Sequence, residues 1–227
     1  MSLQITSLPV ETFTQHMENQ TPIAFSRWGD GEWRIILNST PDNPLFNWPI
    51  QRQQLHDILH SNPDYPLGMQ PLAMRMMETE ITEYLQGTNI NWVGSEIFHR
   101  SAQQNDWSFF RAFQSHPQNL LVGPAYLRQI WPNIIETIPY IKGKWQFVWD
   151  KTDELTEAVF EYVQGKPFVT VGFCASMASN IIIDRMHKMV PRHSYIDFGS
   201  VLDPLCGVMS RSYMRSPEYQ KMLGLTK

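Results

Sequence analysis

The sequence predicts an α/β fold: a largely parallel, Rossmann-like sheet with helices on both faces, formed by a single domain over residues 1–227. Three observations predict it. Short apolar runs of strand length alternate with longer segments of helical periodicity. No internal repeat, low-complexity tract or charge run marks a domain boundary. Each apolar run is followed at once by small, polar or charged residues, as expected where parallel strands end at a ligand-binding edge.

Taken in order, Pro22–Ser26, Asn91–Gly94, Asn119–Gly123 and Phe168–Phe173 read as strands, with a shorter fifth at Tyr195–Phe198. Between them, Gln51–His60 places Leu55, Ile58 and Leu59 on one helical face, and Leu72–Leu85 repeats apolar residues at three- and four-residue steps. Asp153–Val163 carries Leu155, Val159 and Val163 behind an Asp suited to capping, and Ser176–Met186 follows its strand directly. The cluster Thr40-Pro41-Asp42-Asn43-Pro44 marks a loop.

A folded chain of 227 residues buries roughly 70% of its unfolded surface, so its core needs no disulfide or structural metal. Cys174 and Cys206 lie 32 positions apart with no CxxC pairing, and read as reduced thiols of a cytoplasmic protein. No basic start precedes an apolar run, and no stretch approaches the roughly 20 apolar residues of a membrane span. A net charge of −4 and a pI near 6.0 argue against a nucleic-acid partner. Charged residues make up 18%, below the usual level of about 25%. Eight Trp, twelve Met and twelve Phe take their place, a composition that leaves room for a homo-oligomer.

The most informative segment is Ser26-Arg27-Trp28-Gly29-Asp30-Gly31-Glu32. Gly29 and Gly31 flank Asp30, so the backbone can take positive φ and approach a ligand closely. Asp30 and Glu32 offer hard oxygen ligands two positions apart, suited to magnesium or manganese. Arg27 can grip a phosphate in bidentate fashion or pair with a carboxylate. An ordinary strand-to-helix turn capped by Asp30 would use the same residues. Trp28 is a stacking candidate for a base or sugar, whereas Trp33 suits the core.

Other strand ends add candidates. Gly172-Phe173-Cys174-Ala175-Ser176 lacks the spacing of GxGxxG and of the P-loop. Its small residues still leave amides at a helix start that can seat a diphosphate, and Ser176 suits both N-cap and ligand contact. Asp197 and Asp203 flank Gly199, and either can serve as general base, with helix capping as the competing role for Asp203. Arg100 and Arg128 are candidate phosphate ligands or surface arginines packing their stems on aromatic rings. His56 and His60 stand four apart on a helix without the glutamate of a zinc protease, and Ser210–Arg215 reads as a solvated or docking tail.

The first of these motifs resembles the Ser-Arg-aromatic-Gly-Asp-Gly-Glu signature of the GT-D glycosyltransferases, formerly catalogued as a domain of unknown function. The resemblance continues in blocks at Val93–Arg100, Leu120–Arg128 and Phe168–Asp203. It implies metal-dependent transfer of a sugar from a nucleotide-diphosphate sugar to a glycan, glycoprotein or other hydroxyl acceptor. In that reading Asp30 and Glu32 stand at the metal, manganese or magnesium, and at the diphosphate. The chain departs from the family after its last strand: Ser200 stands where a histidine falls, and the following acid, Asp203, comes one residue late. Two alternatives stay open, a nucleotide- or sugar-phosphate-binding module without transferase activity and a metal-dependent diphosphate hydrolase.

Overall fold

Seven parallel strands carry the fold in the computed structural model, which describes residues 3–39, 47–137 and 150–224. They are β1 (Ala24–Trp28), β2 (Leu67–Met69), β3 (Trp92–Gly94), β4 (Leu120–Pro124), β5 (Ile134–Thr137), β6 (Thr170–Phe173) and β7 (Ser194–Asp197). Their order across the sheet is β3-β2-β1-β7-β6-β4-β5. The Rossmann-like α/β architecture is thus present, and the sheet is wholly parallel. The Thr40–Pro44 loop lies outside the described residues.

The helices are α1 (Val10–Glu18), α2 (Asp30–Ile36), α3 (Pro49–His60), α4 (Pro71–Tyr84), α5 (Ile97–Gln103), α6 (Ser108–Gln114), α7 (Thr152–Val163), α8 (Ala178–Met189) and α9 (Pro217–Met222). They leave two apolar cores, one on each face of the sheet. Period-2 alternation in the strands divides the side chains between them. Ala24 and Trp28 join one core while Phe25 joins the other; Leu120 and Val122 oppose Leu121, and Tyr195 opposes Ile196. The second core is rich in aromatic rings, with Phe13, Phe25 and Phe98 at centroid distances of 5.0–6.0 Å. Phe198 adds contacts to Phe98, Phe109 and Phe113. Offset or edge-on pairs of this kind contribute about 0.5–1.5 kcal/mol each beyond their buried area.

Strand register places the site. Trp28 pairs with Met69, Met69 with Gly94, and Phe173 with Asp197. Several strands therefore end at one level, and the residues that follow them meet at the carboxyl edge. Among the described residues, no helix is long and apolar enough to cross a membrane.

Candidate functional site

A cavity of about 280 Å³ opens at this edge, around the central strands β1 and β7. Chain direction across the sheet reverses here: β1 to β3 run outward on one side, while β4 to β7 fill the other. Such a switch point is where open parallel sheets receive ligands. From β1 and α2 the cavity takes Arg27, Gly29, Asp30, Gly31 and Glu32; Gln70 and Ser95 follow β2 and β3. Ser176 and Met177 precede α8, Asp197 and Gly199 come from the end of β7, and Arg211 arrives from the C-terminal segment.

The glycines of the motif act through space rather than through positive φ. Gly29 has φ −100°, and Gly31 lies within α2. A Cβ on Gly29 would sit 2.8 Å from Gln70 Oε1, and one on Gly31 would sit 2.9 Å from Met177 Sδ. Gly29, not Asp30, is the N-cap of α2. Glu32 Oε2 accepts the Gly29 amide at 2.9 Å, and Gln70 Oε1 accepts the Asp30 amide at 3.2 Å. Asp30 itself points outward enough to pair with Arg34 at 3.5 Å.

Glu32 is buried, and burial pushes its carboxyl up to about 7, with the nearby Asp197 charge adding to the rise. Asp197 is buried too and is pushed up to about 6. The Arg27 charge and backbone amides, including that of Gly199 at 2.8 Å, moderate its rise. Arg27 is fixed by its Nε, which donates to the Ser95 carbonyl at 3.1 Å. Its guanidinium lies over Gly199, where φ is +60° and a Cβ would fall 1.6 Å from Arg27 Nη1. Only glycine suits that position. Asn180 of α8 donates to the Arg27 carbonyl at 2.9 Å and anchors the strand end.

Of the residues singled out in the sequence, Arg27, Gly29, Asp30, Gly31, Glu32, Ser176 and Asp197 meet in this cavity. Four others do not. Trp28 is 0% exposed and packs with Trp33 and Trp92, its Nε1 donating to Ser26 Oγ at 3.0 Å. Adjacent strand residues face opposite sides, so Arg27 at the cavity puts Trp28 in the core. Arg100 is exposed and lines a separate cavity of about 650 Å³ beside the N-terminal segment. Arg128 pairs with Glu136 at 2.7 Å on the far edge strand, β5. Asp203 is buried elsewhere, accepting the Tyr126 hydroxyl at 2.8 Å.

Ser176 does line the cavity, but the N-cap of α8 is Met177. Ser176 instead takes a left-handed conformation with φ +55°. The N-cap of α7 is Lys151, with Asp153 in the first turn. Sequence reasoning missed Gln70, Ser95 and Arg211. Only for Gln70 was there a local signal, a polar residue after the Leu-Gly-Met of β2 and before a proline-led helix. Ser200 Oγ lies 3.4 Å from Nε2 of the buried His99.

Fold and site together define a class: a parallel α/β protein with an acid- and guanidinium-lined cavity at its topological switch point. Three solved structures share the fold, all of domain of unknown function 1792. A selenomethionine-substituted structure of that domain aligns with a TM-score of 0.60 at 13% identity, covering 96% of this chain and 94% of its own. A second, described as having a distinct glycosyltransferase fold, gives a TM-score of 0.57 at 14% identity over 96% and 94%. The third, described as a new glycosyltransferase from Streptococcus sanguinis, gives 0.57 at 14% over 89% and 84%. The chain therefore has the fold of these proteins. No family model and no curated protein matches the sequence.

Proposed function

We propose that this chain is a metal-dependent glycosyltransferase that moves a sugar from a nucleotide-diphosphate sugar to a hydroxyl acceptor, a glycan or glycoprotein. The observation that carries the reading is the cavity lining. Carboxyls of Asp30, Glu32 and Asp197 share one small cavity with the guanidinium of Arg27, which among the described residues forms no ion pair with them. The fold shared with structures described as glycosyltransferases supports it.

The donor set fits magnesium or manganese. Its side-chain ligands are hard oxygens, with no imidazole or thiolate in the lining. Among the described residues no three acidic, histidine or cysteine groups converge as a complete metal cage. That too suits ions bound through one or two carboxylates and completed by substrate phosphates and water. Asp30 and Glu32 would hold the ion, which when bound neutralises the departing diphosphate. Arg27 meets the same diphosphate from β1 and is already oriented by Ser95 and Gly199. Asp197 accepts the proton of the acceptor hydroxyl on a carboxylate oxygen. With its acidity near 6 it is mostly ionised at neutral pH, yet a better base than an ordinary aspartate.

The test supplies UDP- and GDP-sugars with manganese, with and without acceptors, and follows melting temperature and products. A raised melting temperature and acceptor-dependent release of nucleoside diphosphate are expected. Release of sugar phosphate without acceptor would favour the hydrolase instead. Binding without turnover across many acceptors would favour a binding module.

A further inference from the structure

The C-terminal segment brings a second guanidinium to the cavity. After β7 the chain makes a 3-10 turn at Asp203–Cys206 and a left-handed turn at Gly207, with φ +73°. It then runs back so that Arg211 lines the same cavity as Arg27. Just beyond, Met214 is 0% exposed and Tyr219 is 5% exposed, so the segment is anchored in the body of the protein. Arg211 itself is exposed and among the described residues has no ion-pair partner, although three carboxyls line the cavity. Its Nε donates to Ser200 Oγ at 2.9 Å. Burial and the two neighbouring arginines hold His99 neutral, which leaves its Nε2 able to accept the Ser200 hydroxyl over a long 3.4 Å contact.

We propose that Arg211 is a diphosphate-binding residue and Ser200 the residue that positions it, so that the donor's diphosphate is gripped between Arg27 on β1 and Arg211 on the C-terminal segment. The inference rests on the donor reading above. Guanidinium groups are suited to this work because their planar fork matches phosphate oxygens. One arm is fixed on the sheet; the other stands at the solvent rim, where an incoming diphosphate meets it first. Ser200 holds the inner nitrogen of Arg211, and its two outer nitrogens remain for the ligand.

Calorimetric titration of UDP, GDP, uridine and guanosine with manganese tests this on the parent chain and on Arg211→Ala, Arg211→Lys, Ser200→Ala and Arg215→Ala. Arg215, exposed in the same segment, controls for net charge. Arg211→Ala is expected to weaken the diphosphates by about 10- to 100-fold and the nucleosides by less than about twofold. Arg211→Lys should recover part of the loss, and Arg215→Ala should stay within about twofold of the parent. Ser200→Ala should cost a few-fold in the parent and, in the double variant with Arg211→Ala, nothing beyond the loss from Arg211→Ala alone, the signature of a hydroxyl acting through that side chain. Equal losses for Arg211→Ala and Arg215→Ala, or equal losses of diphosphates and nucleosides, would overturn the assignment and leave the donor reading standing. A parent that binds no nucleoside diphosphate would overturn both.

Discussion

Glu32→Gln isolates the most perturbed carboxyl of the cavity. Glu32 is 7% exposed, and burial moves its carboxyl from 4.5 to about 7. Between those two pH values the native protein holds a proton that the unfolded chain has released. The stability this brings is complete below pH 4.5 and is lost as pH rises through about 7. At about 1.4 kcal/mol per tenfold change in acidity, the shift corresponds to about 3 kcal/mol. Glutamine keeps an oxygen for the Gly29 amide and removes the titration. Near pH 4 the two proteins should therefore melt together. At pH 8, in metal-free buffer, the variant should be more stable by about 3 kcal/mol, or about 6–12 °C in melting temperature for a chain of this size. Asp197 loses stability of the same sign between 3.8 and about 6, but in both proteins, so the gap between the curves reports Glu32. Scanning calorimetry from pH 4 to 8 makes the measurement. Parallel curves, with a gap that does not widen as pH rises, would refute the argument.

The other predictions concern the two aspartates and one glycine. Asp197→Asn should lower turnover by about 10²–10⁴-fold while nucleotide-sugar affinity changes little, as for loss of a positioned base; unchanged turnover would remove it from the mechanism. Asp203→Ala leaves the Tyr126 hydroxyl without its partner and should cost about 1–3 kcal/mol of stability with turnover nearly intact. A large kinetic effect with an unchanged melting temperature would return Asp203 to the list of bases. Gly172→Ala places a Cβ 2.4 Å from the Phe198 ring, against Leu121 as well. It should lower stability by about 1–3 kcal/mol, read by thermal melting, and an unchanged melting temperature would contradict the packing.

The fold was legible wherever the signal was local. Five strands and four helices announced themselves by apolar runs and three- or four-residue steps, with ends displaced by a few residues. The strands β2 and β5 did not. Leu67–Met69 is three residues long and contains glycine, too short for alternation to register. Ile134–Thr137 is an edge strand whose Ile134, Ile135 and Glu136 are not fully buried. The lining of the candidate site was legible in the same measure. Arg27, Asp30 and Glu32 are contiguous in the chain, whereas Arg211 reaches the cavity only because the segment after β7 folds back, a long-range event with no mark in local spacing. Arg100 and Arg128 follow strands just as Arg27 does. They do not line the cavity, because position after a strand says nothing about which way a helix carries its side chains: Arg100 turns toward the N-terminal segment, and Arg128 turns toward Glu136.

A tight motif therefore need not be a list of ligand contacts. In Ser26–Glu32 the period of the strand assigns Trp28 to the core, and Ser26 is there to accept the indole proton that burial would otherwise leave unpaired. Gly29 and Gly31 are small because Gln70 and Met177 press against them, which draws α2 close to the strand ends. Glu32 caps its own helix from inside, and that same bond aims it at the cavity beside Asp197. The residues that bring β1, α2 and the segment before α8 together place Arg27, Asp30 and Glu32 in one cavity with Asp197 of β7, and among the described residues none of these carboxyls forms an ion pair with Arg27. Backbone hydrogen bonds from the Gly29 and Gly199 amides and to the Ser95 carbonyl hold Glu32, Asp197 and Arg27 in place, while Asp30 pairs with Arg34.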